Sequence, residues 1–189
     1  NSFFGTSSGQ ANTTGIINSF FGTFSGGNNT TGSFNSFFGN NAGGQNTTGS
    51  SNSFFGTSAG QANTTGPVNS FFGNFSGGNN TTGGFNTATG VAALFNNTTG
   101  SGNTASGVDA LLSNTTGDRN TACGDAALFN STTGIGNAAL GFAAGSAVTT
   151  ASNVICIGAN VPGANLSNSC FVGNIREVTT AMGDAIPVV

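Results

Sequence analysis

The chain has 189 residues, of which 4% are charged; its formal net charge is −3, and it contains no His, Trp or Tyr. With Lys+Arg at 2 it has no basic footprint for a nucleic-acid backbone, and no His or paired carboxylates offer general acid–base catalysis. Polarity without charge is a mark of disorder in aromatic-poor chains, but 18 Phe and 33 Gly placed at intervals point instead to burial by stacking.

The first element is Asn1-Ser2-Phe3-Phe4-Gly5, followed after a gap by Asn12-Thr13-Thr14-Gly15. The phrase restarts at Asn18, Asn35, Asn52 and Asn69, a period of 17 residues, and in softened form at Asn86, Asn103, Asn120 and Asn137. Self-similarity at a fixed short period means a stack of coils. Counted from each leading Asn, position 5 is Gly and positions 13 and 14 are Thr in all nine coils, while position 15 is Gly except at Ala151. Glycines at fixed places around short β-prone runs predict turns and strands, and the Gly content argues against helices. The expected fold is all-β: a parallel β-solenoid or β-roll with 17-residue coils and two short strands per coil, Ser-Phe-Phe and one at Thr-Thr. About ten coils at ~4.8 Å each make a rod on the order of 50 Å long.

Residues 1–85 hold five coils of the Phe-Phe type, with the pairs Phe3/Phe4, Phe20/Phe21, Phe37/Phe38, Phe54/Phe55 and Phe71/Phe72. Adjacent strand residues point to opposite faces, so both members of a pair cannot enter the interior. We assign the second of each pair outward. Five stacked rings on one face exceed what soluble monomers usually expose, which predicts cover by identical chains around a symmetry axis.

Residues 86–152 hold four coils of the Ala/Leu type. Positions 3 and 4 shrink to Ala88-Thr89, Ala105-Ser106 and Ala122-Cys123, while positions 9 and 10 swell to Leu94-Phe95, Leu111-Leu112 and Leu128-Phe129. Compensating volume predicts that positions 3–4 and 9–10 share packed space. The ninth coil varies this again, with Ala139-Leu140 opposite Gly145-Ser146.

The Asn-Thr-Thr triplets match the N-glycosylation sequon, but glycans repeated every ~5 Å would crowd one another. The preferred reading is a ladder of stacked amides and hydroxyls through Asn12, Asn29, Asn46, Asn63 and Asn80 with Thr13, Thr30, Thr47, Thr64 and Thr81. An ice-binding face is a minor alternative, because only one Thr of each pair can point outward and form a rank.

Residues 153–189 form irregular coils and a C-terminal transition or cap. Asn153-Val154-Ile155-Cys156-Ile157-Gly158 and Asn168-Ser169-Cys170-Phe171-Val172-Gly173 read as coil openings one residue longer than before. Cys123, Cys156 and Cys170 lack metal-ligand spacing and are read as small core residues, with a bridge between Cys156 and Cys170 as the alternative. Asp109, Asp118, Asp125, Glu177 and Asp184, with Arg119 and Arg176, are read as solvated turn charges. No catalytic residue, cofactor or metal is expected. No apolar run is long enough to span a bilayer. The chain opens directly on a repeat without an initiator Met, so residue 1 is expected to begin a processed product or a fragment.

Openings such as Asn137-Ala138-Ala139-Leu140-Gly141 and Asn86-Thr87-Ala88-Thr89-Gly90 resemble the head repeats of trimeric autotransporter adhesins. A closer likeness is to bacterial and phage tail-fibre-like proteins with Asn-Thr-Ala-x-Gly and Asn-Thr-Thr-Gly arrays. In that group a segment like residues 153–175 typically precedes an intramolecular chaperone that templates trimerisation. The resemblance implies three chains side by side in an extracellular, cell-surface or virion fibre. It also implies the chain itself as main partner and a host, matrix or cell-surface ligand as a further one. The expected function is a structural fibre, stalk or adhesin-like rod without catalysis, and the alternative is a self-polymerising extracellular filament.

Overall fold

Along Ser-Phe-Phe the side chains alternate out, in, out, and the Gly that follows turns the chain away from the sheet. At Gly22 φ is 133°, a region that side-chain-bearing residues avoid, and a Cβ there would collide with the carbonyl of Gly39 one coil on. Each strand is therefore short. The computed structural model describes residues 1–173 and shows a parallel β-solenoid with no helix among them.

Among the described residues eleven strands form one parallel sheet in sequence order. The Phe-Phe coils supply β1 (Ser2–Phe4), β2 (Ser19–Phe21), β3 (Ser36–Phe38), β4 (Ser53–Phe55) and β5 (Ser70–Phe72). The next are β6 (Thr87–Thr89), β7 (Thr104–Ser106), β8 (Thr121–Cys123) and β9 (Ala138–Leu140), and the last are β10 (Val154–Ile157) and β11 (Ser169–Val172). Equivalent residues pair across the ladder, so Phe3, Phe20 and Phe37 form one column and Phe4, Phe21 and Phe38 another.

The first Phe of each pair fills the core. Phe20, Phe37, Phe54 and Phe71 are fully buried and stack at 4.7–5.0 Å, as the coil rise dictates. From the sixth coil Ala88, Ala105 and Ala122 take over that column, and the buried Leu94, Leu111 and Leu128 fill the space from position 9. Only positions 3 and 9 exchange volume. Position 4 faces outward, and position 10 packs on another outer wall, where Phe95 meets Phe75 edge-on at 6.0 Å. That corrects the expected sharing of positions 3–4 with 9–10.

Each coil has one strand, not two. At the Thr-Thr segment three consecutive N–H groups, of Thr30, Thr31 and Gly32, converge on the carbonyl of Thr47 at 2.9, 3.1 and 3.3 Å. In a strand successive N–H groups point to alternate neighbours, so this arc is a turn wrapped around one acceptor.

The openings after Ser152 are also corrected. Val154, not Asn153, takes the leading position, since its N–H donates to Asn137 Oδ1 at 2.9 Å. Asn153 belongs to the preceding corner, with φ 56° like Phe34 at 61°. Ser169 then pairs with Val154, so this coil is 15 residues rather than 17. The shortened coil has no Thr carbonyl for the ninth coil to use. Asn165 Oδ1 replaces it, accepting from the N–H groups of Thr149, Thr150 and Ala151 at 3.1, 2.9 and 2.7 Å.

The same register excludes the Cys156–Cys170 bridge. Cys170 lies opposite Ile155 and faces out, whereas Cys156 lies opposite Phe171 and is fully buried; all three cysteines are free.

Candidate functional site

Two columns of asparagine hold the coils together. At position 12, Asn29 Nδ2 donates to Asn12 Oδ1 at 2.7 Å and to Gly32 O at 2.9 Å. Asn46, Asn63 and Asn80 repeat the pattern, each donating to the preceding amide oxygen at 2.6–2.8 Å. The leading Asn forms a second column that the sequence reading did not single out as a ladder. Asn18 Oδ1 accepts from the N–H of Asn35 at 3.0 Å, while Asn18 Nδ2 donates to Gly32 O at 2.8 Å. Both amides meet on one carbonyl, closing each coil and joining it to the next. The signal was available: the residue is Asn at every coil start from Asn1 to Asn137.

The threonines divide by position. Thr13, Thr30, Thr47, Thr64 and Thr81 each donate Oγ1 to the Thr carbonyl of the following coil at 2.9–3.0 Å. Position 14 is exposed and forms one rank from Thr14 to Thr150. The sequon asparagines from Asn29 to Asn114 are fully buried, and the folded coil has no room for a glycan on them. Asn12 is half-buried.

The outer face of the sheet carries the second Phe of each pair. Phe4, Phe21, Phe38, Phe55 and Phe72 stack in parallel at 4.7–5.0 Å. The end rings, Phe4 and Phe72, are 63% and 40% exposed, and the three between are half-buried. The column continues as Thr89, Ser106 and Cys123, then as Leu140, Ile157 and Val172. Position 2 runs beside it as five Ser, then Thr87, Thr104 and Thr121, then Ala138, Ile155 and Cys170. Neither column holds a charge. The face is thus divided into an aromatic block, a hydroxyl block and an aliphatic block. At the start of the aliphatic block lies a dimple of about 210 Å³ over Ala138 and Ala139, rimmed by Cys123, Leu140 and Ile157.

A second feature sits on the corner that precedes the strands. A cleft of about 230 Å³ is lined by Phe85, Ser101, Gly102, Asp118 and Arg119. Asp118 Oδ1 accepts from the N–H of Ser101 at 2.7 Å, which fixes the carboxylate. The other acids in view, Asp109 and Asp125, stand at different coil positions, and Glu177, Asp184 and Arg176 lie outside the described residues.

Among the described residues no group of three His, Cys, Asp or Glu is placed to hold a metal ion. Burial pushes the Cys156 thiol above its ordinary value, with the Cys170 thiol adding to the effect. No helix of the described residues is long and apolar enough to cross a membrane. Comparison with protein-family models, with curated proteins and with solved structures yields no match.

Proposed function

We propose that this chain is a structural segment of an extracellular fibre or stalk, in which the outer sheet face is buried against the same face of identical chains. The carrying observation is the uncharged outer column, in which the stack Phe4–Phe72 is followed by Thr89, Ser106 and Cys123 and then by aliphatic residues. About 50 Å of rod and ~7 Å between the two outward positions give on the order of 350 Å² of sheet face per chain. A standard interface buries about 800 Å² per partner, so the corners that flank the strands must share in the contact.

The block pattern also favours one orientation. In parallel register aromatic meets aromatic, hydroxyl meets hydroxyl and aliphatic meets aliphatic. In antiparallel register Phe72 meets the level of Ser106 and Phe55 that of Cys123. A parallel bundle about an axis along the rod follows, and the resemblance to trimeric adhesin heads and tail fibres makes three chains the stoichiometry. Its task is to extend, or to present a distal surface for adhesion to a host, matrix or cell-surface ligand.

Cys123 is a built-in reporter. In a Cys170→Ser variant, a short bis-maleimide should join Cys123 to Cys123 between chains, and light scattering should give a single trimeric mass. A monomeric mass with no cross-link would sink the proposal.

A second reading is a filament that grows end to end. It is favoured by the interchangeability of coil edges, since the same Asn and Thr bonds repeat at successive junctions. It predicts a mass that rises with concentration and visible fibres rather than one discrete species.

A further inference from the structure

We propose that the corner cleft between Phe85 and Arg119 binds one neutral pyranose ring of a glycan. The cleft is a departure from the repeat. Phe85, Gly102 and Arg119 occupy the same position on three successive coils, linked through Gly102 N–H to Gly84 O and Arg119 N–H to Ser101 O, each at 3.0 Å. Their φ values are 59°, 70° and 56°, so the backbone is shared and Gly102 differs by having no side chain. One tier of the column is therefore open, with Phe85 on one side and the side chain of Arg119, whose Cγ lies 3.6 Å from where a Gly102 Cβ would stand, on the other. Phe85 is 66% exposed, so its ring is available as an apolar platform.

The size fits a single ring. Rings on this scaffold stack at 4.7–5.0 Å per tier, so one open tier accepts one ring. A cavity of about 230 Å³ falls below the roughly 300–1,000 Å³ of sites for drug-sized molecules.

The polar groups select the chemistry. Asp118 is held by its bond to Ser101 at 2.7 Å, and its second oxygen remains an acceptor. Arg119 supplies donors only. Adjacent opposite charges give neither an anion nor a cation a net Coulombic advantage. A neutral ring with several hydroxyls both donates and accepts, and so matches Asp118 and Arg119 while its C–H face lies on Phe85. A bare aromatic ring would leave Asp118 unmatched. All five lining residues come from one chain, so the site stands whether or not the sheet face is an interface.

The probes are methyl β-galactopyranoside, methyl α-mannopyranoside and methyl β-glucopyranoside at millimolar concentration, with sodium benzoate as an aromatic anion control. Saturation-transfer NMR should show ring protons of at least one pyranoside in contact with the protein. Gly102→Phe should fill the tier and weaken binding by about tenfold or more. It should still fold, with a modestly lower melting temperature from the left-handed backbone, because Phe34 and Phe85 hold the same position at φ 61° and 59°. Arg119→Gln should also weaken binding. No transfer to any of the three sugars, binding retained in Gly102→Phe, or preferential binding of benzoate would each overturn the proposal.

Discussion

A Cβ built on Gly26 would lie 2.5 Å from Cε2 of Phe20, so the ring at position 3 stands where a position-9 side chain would be. Gly43 with Phe37 and Gly60 with Phe54 repeat the relationship at the same distance. Where the ring is lost, Leu94, Leu111 and Leu128 fill the space although their φ values of 56°, 52° and 50° suit Gly better. Packing outweighs a left-handed penalty of about 1–2 kcal/mol per residue. In the ninth coil Leu128 reaches into the gap beside Gly145, where a Cβ would lie 2.7 Å from its Cδ2.

This exchange is directly testable. Phe54→Ala alone should cost about 3–5 kcal/mol through the cavity it leaves. Gly60→Leu alone should cost at least about 2 kcal/mol from overpacking and backbone strain. The double variant should cost less than the sum by about 1–3 kcal/mol, since it rebuilds the Ala88/Leu94 arrangement. Denaturant midpoints of the four proteins give the coupling. Strict additivity would contradict the shared-space account.

The asparagine column makes opposite predictions for two substitutions. Asn63→Ala removes the donor to Asn46 Oδ1 at 2.8 Å, leaving that buried acceptor unpaired, and one of the two donors to Gly66 O, which keeps Asn52 Nδ2 at 2.9 Å. A loss of about 2–4 kcal/mol is expected. At Ser131 the column breaks, and Asn114 Oδ1 and Ser131 Oγ have no hydrogen-bond partner. Ser131→Asn should restore the rung and raise stability by about 1 kcal/mol, read as a higher thermal midpoint. A lower midpoint would show that Asn does not fit there.

The outer rings should matter for association rather than for the coil. Replacing Phe4, Phe21, Phe38, Phe55 and Phe72 with Ser should shift the mass in solution towards the single chain and leave the circular dichroism of the sheet nearly unchanged. The same change at Phe20, Phe37, Phe54 and Phe71 should unfold the array, because those rings are fully buried. If the outer variant kept its assembled mass, the sheet face would not be the contact surface.

Cys156 gives a pH dependence. Its thiol is held above the ordinary 9.0 chiefly by burial, so the folded state ionises it later than the unfolded state does. Its contribution to stability is complete below about pH 9 and is lost as pH rises through the folded value. Cys156→Ala should flatten the alkaline decline in unfolding midpoint. In the folded single chain a thiol reagent should modify Cys123 and Cys170, which are exposed there, and reach Cys156 only on unfolding.

Much of this architecture was legible because the period is strict. A 17-residue repeat with Gly and Asn at fixed positions leaves little besides a solenoid, and alternation along Ser-Phe-Phe requires one ring in and one out. The number of strands per coil was not legible. Thr-Thr has β propensity, yet its geometry is decided by three N–H groups sharing the carbonyl of Thr47, a tertiary relationship that composition does not encode. The registers of β10 and β11 were misplaced for a similar reason. Asn153 and Asn168 look like leading residues, but a corner also accepts Asn at positive φ, and the ladder admits Val154 because only its N–H is used. The corner cleft could not be read at all, because Phe85, Gly102 and Arg119 become neighbours only when the coils stack.

Coil-to-coil bonding at a constant separation of 17 residues has a consequence for growth of the molecule. Each coil contacts its neighbours and nothing farther away, so duplicating or deleting a whole unit among the Phe-Phe coils restores the Asn and Thr bonds at the new junction. Such a change alters length by ~4.8 Å and nothing else. A coil of another length keeps the outer column in line only where its corner is rebuilt, as Asn165 does in the 15-residue coil before Ser169. The chain thus behaves as a ruler graduated in single coils, and its length can be reset by unequal recombination without the fold having to be reinvented.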